Sequence, residues 1–237
     1  MGVLAGVRAA IIDLDGTMLD TIPDFHVAIN SMRAELDLAP ISQQQIALMV
    51  GKGSENLIRA VLALDLDAAA VEAQFASAME AYQRHYLRIN GQFSSLYPEV
   101  LEGLTALRQQ GLRLACVTNK PIAFTTPLLK LKGLDGFFEV VYGGDSLARK
   151  KPDPLPLLTV CADFALAPAQ VVAIGDSSND AQAARAAGCP VLTVPYGYNH
   201  GEAIHSIDSD GIVTTLLTAA TLIRSQTAPL SAGTLAS

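Results

Sequence analysis

A chain of 237 residues that is half apolar can bury a sizeable core, which excludes global disorder. Its formal charge of −7 and isoelectric point near 5.0 argue against a nucleic-acid or anionic-membrane surface, which needs clustered Lys and Arg. Three well-separated cysteines, Cys116, Cys161 and Cys189, form no CxxC pair and no disulfide frame, as in a reducing compartment.

At the N-terminus, Arg8 and Asp13 interrupt the apolar stretch and no small-residue cleavage pattern follows. Nor does any apolar run reach the roughly 18 residues of a spanning helix. A cytoplasmic protein with no membrane partner is expected. Ala9-Ala10-Ile11-Ile12 reads as a strand buried on both faces, ending at Asp13. Gly16 lets the chain turn just after Asp15, so both carboxylates meet at the C-terminal lip of the strand, where open α/β sheets place ligands. At about 4 Å and an effective dielectric near 20 they repel by roughly 4 kcal/mol. The pair therefore needs a cation, a shared proton or separate roles. Taken alone, Asp-x-Asp is equally a solvated acid pair at a strand end.

Residues 18–94 change character. Phe25, Ala28, Ile29 and Met32, then Ile46, Met49 and Val50, then Leu57, Ile58, Val61 and Leu62, then Phe75, Ala78, Met79 and Tyr82 all fall at helical spacing. Ser42 with Gln45 resembles a capping box and Ser54 is a candidate helix start. With no strand-like run, the segment is expected to be an all-helical insert with its own small core. From Tyr97-Pro98 onward the pattern alternates. Helices are expected at 100–110, 124–131, 154–164 and 180–187, and strands at 112–117, 138–142, 171–174 and 191–194. With the first strand, five strands and helical crossovers define an α/β fold: a Rossmann-like, mostly parallel sheet covered on both faces. The core is expected at 1–17 and 95–225, the α-helical cap at 18–94, and a disordered tail at 226–237.

The strand tips collect polar residues suited to phosphate or metal. Thr118 offers a hydroxyl and Asn119 follows it, although Thr-Asn alone is a common turn. Lys151-Pro152 aims one lysine, since proline fixes the chain. Gly175-Asp176-Ser177-Ser178-Asn179-Asp180 is more specific. Gly175 permits close backbone approach, Asp176 sits at a strand tip, and Asp180 lies in the first turn of a helix whose N–H groups face any anion. Taken as a helix cap and a first-turn acid, the same residues are ordinary stabilisers. Yet three acids, Asp13, Asp15 and Asp176, on one sheet edge would repel strongly without a cation. Carboxylates with no His or Cys nearby suit a hard ion, and Mg²⁺ fits best.

Asp13-Leu14-Asp15-Gly16-Thr17, Thr118-Asn119, Lys151-Pro152 and Gly175-Asp176-x-x-x-Asp180, in this order, resemble the four motifs of the haloacid dehalogenase superfamily. The helical insert after the first motif is similar to that superfamily's small α-helical cap. Ala184-x-x-Ala187-Gly188-Cys189-Pro190 and Tyr196-Gly197-Tyr198-Asn199 are similar to its phosphoglycolate phosphatase branch. Met18 and Thr21 stand where relatives more often show Leu and Ser. The resemblance implies a Mg²⁺-dependent phosphatase of a small anionic phosphate ester, 2-phosphoglycolate being the expected substrate. It implies Asp13 as nucleophile, Asp15 as proton donor and base, and Thr118, Asn119 and Lys151 around the phosphoryl group. Mg²⁺ would be held by Asp13, Asp176 and the backbone carbonyl of Asp15, with Asp180 orienting Lys151 or metal-bound water.

Gly51-Lys52-Gly53, a lone cation between two flexible glycines in the insert, is a candidate for contact with a substrate carboxylate; an exposed helix-connecting turn explains it equally. Sugar-phosphate phosphatase and β-phosphoglucomutase are alternatives that keep the same residues. A phospho-aspartate receiver also wants acids, a Thr and a Lys on an α/β sheet, but needs no helical insert. Whether the chain is a monomer or homodimer does not follow from the sequence.

Overall fold

A computed structural model describes residues 2–227. In chain order these form β1 (Ala9–Ile12), β2 (Leu19–Asp20), α1 (Ile22–Glu35), α2 (Gln43–Ala47), α3 (Ser54–Leu62), α4 (Ala68–Ile89) and β3 (Ser95–Leu96). There follow α5 (Val100–Gln109), β4 (Arg113–Val117), α6 (Ile122–Leu131), β5 (Val140–Tyr142), α7 (Leu155–Asp163), β6 (Val171–Gly175), α8 (Ser178–Ala187), β7 (Val191–Thr193), β8 (Gly211–Ile212) and α9 (Leu216–Thr227).

The main sheet is parallel throughout, in the order β5-β4-β1-β6-β7-β8. Strand alternation divides its side chains between two layers. Ala10, Ile12, Leu114, Cys116, Val172, Ile174 and Leu192 pack with Leu104 and Leu107 of α5, Leu128 of α6 and Ile223 of α9. On the other face Ala9, Ile11, Ala115, Val117, Val171, Ala173 and Val191 meet α7 and the alanine-rich α8. Small residues on that face let α8 lie close, which matters because α8 carries Asp180.

Four helices of the insert, α1 to α4, enclose a separate cluster including Phe25, Ile29, Met32, Ile46, Leu57, Ile58, Val61, Tyr82 and Tyr86, which Phe124 of α6 joins from outside the insert. The capping box forms as read: Ser42 Oγ accepts from Gln45 N–H, and Gln45 Oε1 accepts from Ser42 N–H. Asp24, fully buried, accepts from the backbone N–H groups of Gly91 and Phe93, tying the start of α1 to the chain where it leaves α4.

Three expectations need correction. The sheet has a sixth strand, β8, and the insert region is not free of strands: Leu19–Asp20 pairs antiparallel with Ser95–Leu96, fastening the outgoing chain to the returning one. Two-residue strands are too short to show a period of two in sequence. Residues 226 and 227 belong to the last turn of α9 rather than to a tail; 228–237 lie outside the described residues. The signal for α9 was present, as Leu216, Ala219, Ala220 and Ile223 have helical spacing and are all buried. Gly103 of α5 makes room for it, since a Cβ there would lie 2.5 Å from the Leu216 backbone.

Candidate active site

β1 lies between β4 and β6, so the chain segments leaving these three strands converge at one edge of the sheet. Asp13 N–H continues the β1 ladder to Ile174 O at 3.0 Å, and Thr118 N–H continues that of β4 to Tyr142 O at 3.0 Å. Asp13, Asp15, Thr118, Asn119, Lys151, Asp176 and Asp180 line a single narrow chamber there, roofed by Phe25, Val50, Gly51, Gly53 and Leu57 of the insert. The four sequence motifs meet in one place.

Lys151 stands at the centre of the charge network. Its Nζ lies 2.6 Å from Asp180 Oδ1, 2.8 Å from Asp13 Oδ1 and 2.7 Å from Val117 O. An ammonium has three protons, and three acceptors surround this one. The other Asp180 oxygen accepts from Ser177 N–H and Ser177 Oγ at 3.2 and 2.7 Å, fixing the first turn of α8. Gly175 is required here: a Cβ would lie 2.3 Å from Asp180 Cγ. The Lys151–Pro152 peptide bond is cis.

Asp176 accepts from Thr17 Oγ1 at 3.0 Å and from Tyr198 N–H. Two glycines admit it. A Cβ on Gly16, whose φ is +86°, or on Gly197 would lie 2.3 Å from Asp176 Oδ2. Tyr198 in turn bonds through its hydroxyl to Asp20 and to the N–H groups of Thr21 and Ile22 at the start of α1.

Burial raises the Asp13 carboxyl to about 7, with Lys151 opposing and Asp180 and Asp15 adding to the rise. Asp176 is likewise pushed well above the usual carboxylate range by burial, then by Asp180 and Asp13. For Lys151, burial works to lower the pKa, but Asp13 and Asp180 outweigh it and hold the ammonium above its ordinary value. Asp13, Asp176 and Asp180 each present an oxygen within 4.8 Å of the others. An all-oxygen set of buried acids, two of them held back from ionising, fits a hard divalent cation, whose charge would reverse those shifts.

The remaining residues divide. Thr118 is buried at the chamber wall, its hydroxyl accepting from Lys120 N–H at 3.2 Å while its own proton stays available to donate. Asn119 spends its amide protons on Gly51 O at 3.0 Å and Lys151 O at 2.8 Å, tying the roof loop to the sheet edge. The Asp15 side chain lies apart from the three-acid cluster and pairs with Lys120 at 3.1 Å. Lys52 is exposed and is not brought in with the others. It lines a broad outer cleft of about 1180 Å³ beside Arg149 and Lys150, while its neighbours Gly51 and Gly53 face the inner chamber. Sequence reasoning missed Lys120 and Tyr198 as parts of the site, although both lay in stretches already singled out.

A parallel sheet with carboxylates and a lysine gathered at one edge beneath a helical insert is the architecture of a capped α/β enzyme that handles an anion beside a cation. Residues 10–194 match the haloacid dehalogenase-like hydrolases, and the chain belongs to that family. It is 46% identical over 217 residues to the phosphoglycolate phosphatase of Thiobacillus denitrificans, covering 92% of this chain and 96% of that one. It is 48% identical over 218 residues to that of Nitrosospira multiformis, with the same coverage. Among solved structures, a predicted phosphoglycolate phosphatase from Haemophilus somnus 129pt superposes with a TM-score of 0.88 at 33% identity, covering 92% of this chain and 98% of that one.

Proposed function

We propose that the protein is a Mg²⁺-dependent phosphatase that hydrolyses 2-phosphoglycolate to glycolate and phosphate. The observation that carries this is the buried ion pair of Asp13 with Lys151 beside the Asp13, Asp176 and Asp180 cluster, in a family whose similar members bear that activity in their names. A carboxylate held against an ammonium at a cation site can accept a phosphoryl group without facing its full negative charge.

Asp13 attacks phosphorus and forms an aspartyl-phosphate as the ester P–O bond breaks; Asp15 gives its proton to the departing oxygen. Asp15, now ionised, takes a proton from water, which attacks the same phosphorus and frees Asp13 and phosphate. Lys151, aimed by Asp180 and Val117 O, offsets the charge of the incoming group. The Thr118 hydroxyl donates to a phosphoryl oxygen. Mg²⁺ held by Asp13, Asp176 and the Asp15 carbonyl would supply further charge neutralisation. The roof residues Phe25, Val50 and Leu57 exclude water from the acyl-phosphate. The three buried cysteines, none of them in a disulfide, suit a cytoplasmic enzyme.

A panel of small phosphate esters assayed with Mg²⁺ and with chelator tests this. The expected result is multiple-turnover phosphate release, fastest with 2-phosphoglycolate and abolished by chelation. A preference for a phosphosugar, or isomerisation of one driven by a bisphosphate, would overturn the substrate assignment.

A further inference from the structure

Lys120 lines the chamber beside Asp15 and is almost wholly buried, its side chain 2% exposed. It leaves the tip of β4, yet beside Asp15 its surroundings come from the insert. Nζ lies 3.1 and 3.4 Å from the two Asp15 oxygens and 2.5 Å from Tyr86 Oη. It is also 4.6 Å from the ring centroids of both Phe25 and Tyr86. Those two rings stack on each other with centroids 5.3 Å apart, Phe25 from α1 and Tyr86 from α4. Tyr82 and Phe124 pack on Tyr86 from other sides, so the ring is held firmly.

An ammonium withdrawn from water needs replacement for its hydration shell. Here one carboxylate, one phenol oxygen and two ring faces provide it. Three of these contributions, the phenol oxygen and both ring faces, exist only while α1 and α4 sit against the sheet edge. Without them only the Asp15 carboxylate holds the ammonium, and the long, flexible lysine stem is freer to turn to solvent. Asp15, with a side chain 10% exposed, accepts from this lysine through both of its carboxylate oxygens.

We propose that Lys120 is a positioning residue that fixes the Asp15 carboxyl toward the chamber, and that the Phe25–Tyr86 pair makes this conditional on the insert being seated. Seating of the insert and alignment of the proton donor are then one event, so proton transfer is suppressed while the chamber is open to water. The inference rests on the assignment of Asp15 as proton donor and base.

The test compares Lys120→Met, Lys120→Arg, Tyr86→Phe and Asp15→Asn on three substrates with saturating Mg²⁺. Ethyl phosphate has a poor leaving group and no carboxylate. 2-Phosphoglycolate has a poor leaving group and a carboxylate. p-Nitrophenyl phosphate has a leaving group that departs without a proton. Lys120→Met is expected to lower kcat on both alkyl esters equally, by about 100-fold, within the range of a lost acid–base contribution, with KM nearly unchanged. The pre-steady-state burst of p-nitrophenolate keeps its rate, because the first P–O cleavage then needs no proton. Lys120→Arg restores part of kcat, and Tyr86→Phe shows the same pattern at roughly tenfold.

A loss confined to 2-phosphoglycolate and expressed in KM would overturn the proposal by making Lys120 a partner of the substrate carboxylate. An equal loss of the burst would overturn it by showing that the lysine only supports the fold. Should Lys120→Met fail to fold, Tyr86→Phe, which removes one oxygen, decides by the same pattern. Asp15→Asn separates the two layers. If it slows the alkyl esters selectively and the Lys120 and Tyr86 variants do not, the lysine proposal alone fails. If it leaves ethyl phosphate hydrolysis intact, the assignment of Asp15 fails first.

Discussion

Asp180 Oδ1 holds Lys151 Nζ at 2.6 Å, and the same nitrogen reaches Asp13 Oδ1 at 2.8 Å. The lysine is thus suspended between an acid fixed by the first turn of α8 and the proposed nucleophile. Asp180→Asn keeps an oxygen acceptor for the ammonium and removes the charge. We expect kcat to fall by about 10- to 100-fold, the range for a lost supporting contact, and the melting temperature to fall as well, because the Asn amide nitrogen cannot accept from Ser177. Lys151→Met is more severe, because it leaves buried acids without their counter-charge. It should lower stability by about 3–5 kcal/mol in the metal-free protein as well as abolish turnover, as read by urea melts and steady-state kinetics.

The acid cluster makes stability depend on pH and metal together. Burial pushes Asp13 in the folded protein up to about 7, above the ordinary carboxylate value of 3.8, and Asp176 is raised too. A carboxyl raised on folding favours the folded state most fully below its unfolded value, and that contribution is lost as pH rises through the folded value. Metal-free protein should therefore lose stability between about pH 4 and pH 7 on account of this cluster. Mg²⁺ binds the ionised acids, so the rise in melting temperature on adding it should be larger at about pH 8 than at about pH 5. Thermal melts with and without Mg²⁺ across this range check it. A metal-induced shift of equal size at both pH values would contradict it.

Gly197 is tested by adding one methyl group. A Cβ there would stand 2.3 Å from Asp176 Cβ, Asp176 Oδ2 and Gly16 O, and none of these can yield without moving the site. Gly197→Ala should weaken Mg²⁺ activation by about 10- to 100-fold, as loss of a well-placed ligand does, and leave the far-UV circular dichroism unchanged. The measurement is activity against Mg²⁺ concentration.

Arg33 serves the insert and not the chemistry. It is 1% exposed, and its guanidinium donates to Ala39 O at 2.6 Å, Val61 O at 3.1 Å and Asp65 Oδ2 at 2.6 Å, joining α1 to the end of α3. Arg33→Ala strands the buried Val61 carbonyl and leaves a gap among packed helices. A loss of about 2–4 kcal/mol in unfolding free energy is expected. At a temperature well below the melt, kcat should remain within about twofold of the parent, since no residue of the chamber is touched.

Much of this is legible in the sequence, because its signals are local. Ala9–Ile12 runs apolar into two acids, and the alternation from Val100 to Thr193 carries both periods and the glycine stops that punctuate them. Asp13, Thr118, Lys151 and Asp176 each sit at a strand or loop end, and a parallel sheet gathers such ends at one edge. What the sequence hid depends on contacts between distant residues. Lys120 follows Thr118 and Asn119 like any third turn residue, and only the closeness of Phe25 and Tyr86 marks it as enclosed. Lys52 shows the reverse: its flanking glycines suggest a loop entering the site, but it is their backbone that reaches the chamber while the cation faces the outer cleft. The β2–β3 ladder escaped because two residues carry no periodicity.

The central claim is that Asp13 receives the phosphoryl group, and it can be read directly. Enzyme mixed with 2-phosphoglycolate and Mg²⁺, quenched in acid within the first turnover and digested, should yield one peptide heavier by a single phosphoryl group, with fragmentation assigning it to Asp13 and no such species from Asp13→Asn. A phosphoryl group on any other residue, or hydrolysis at an undiminished rate by Asp13→Asn, would contradict it.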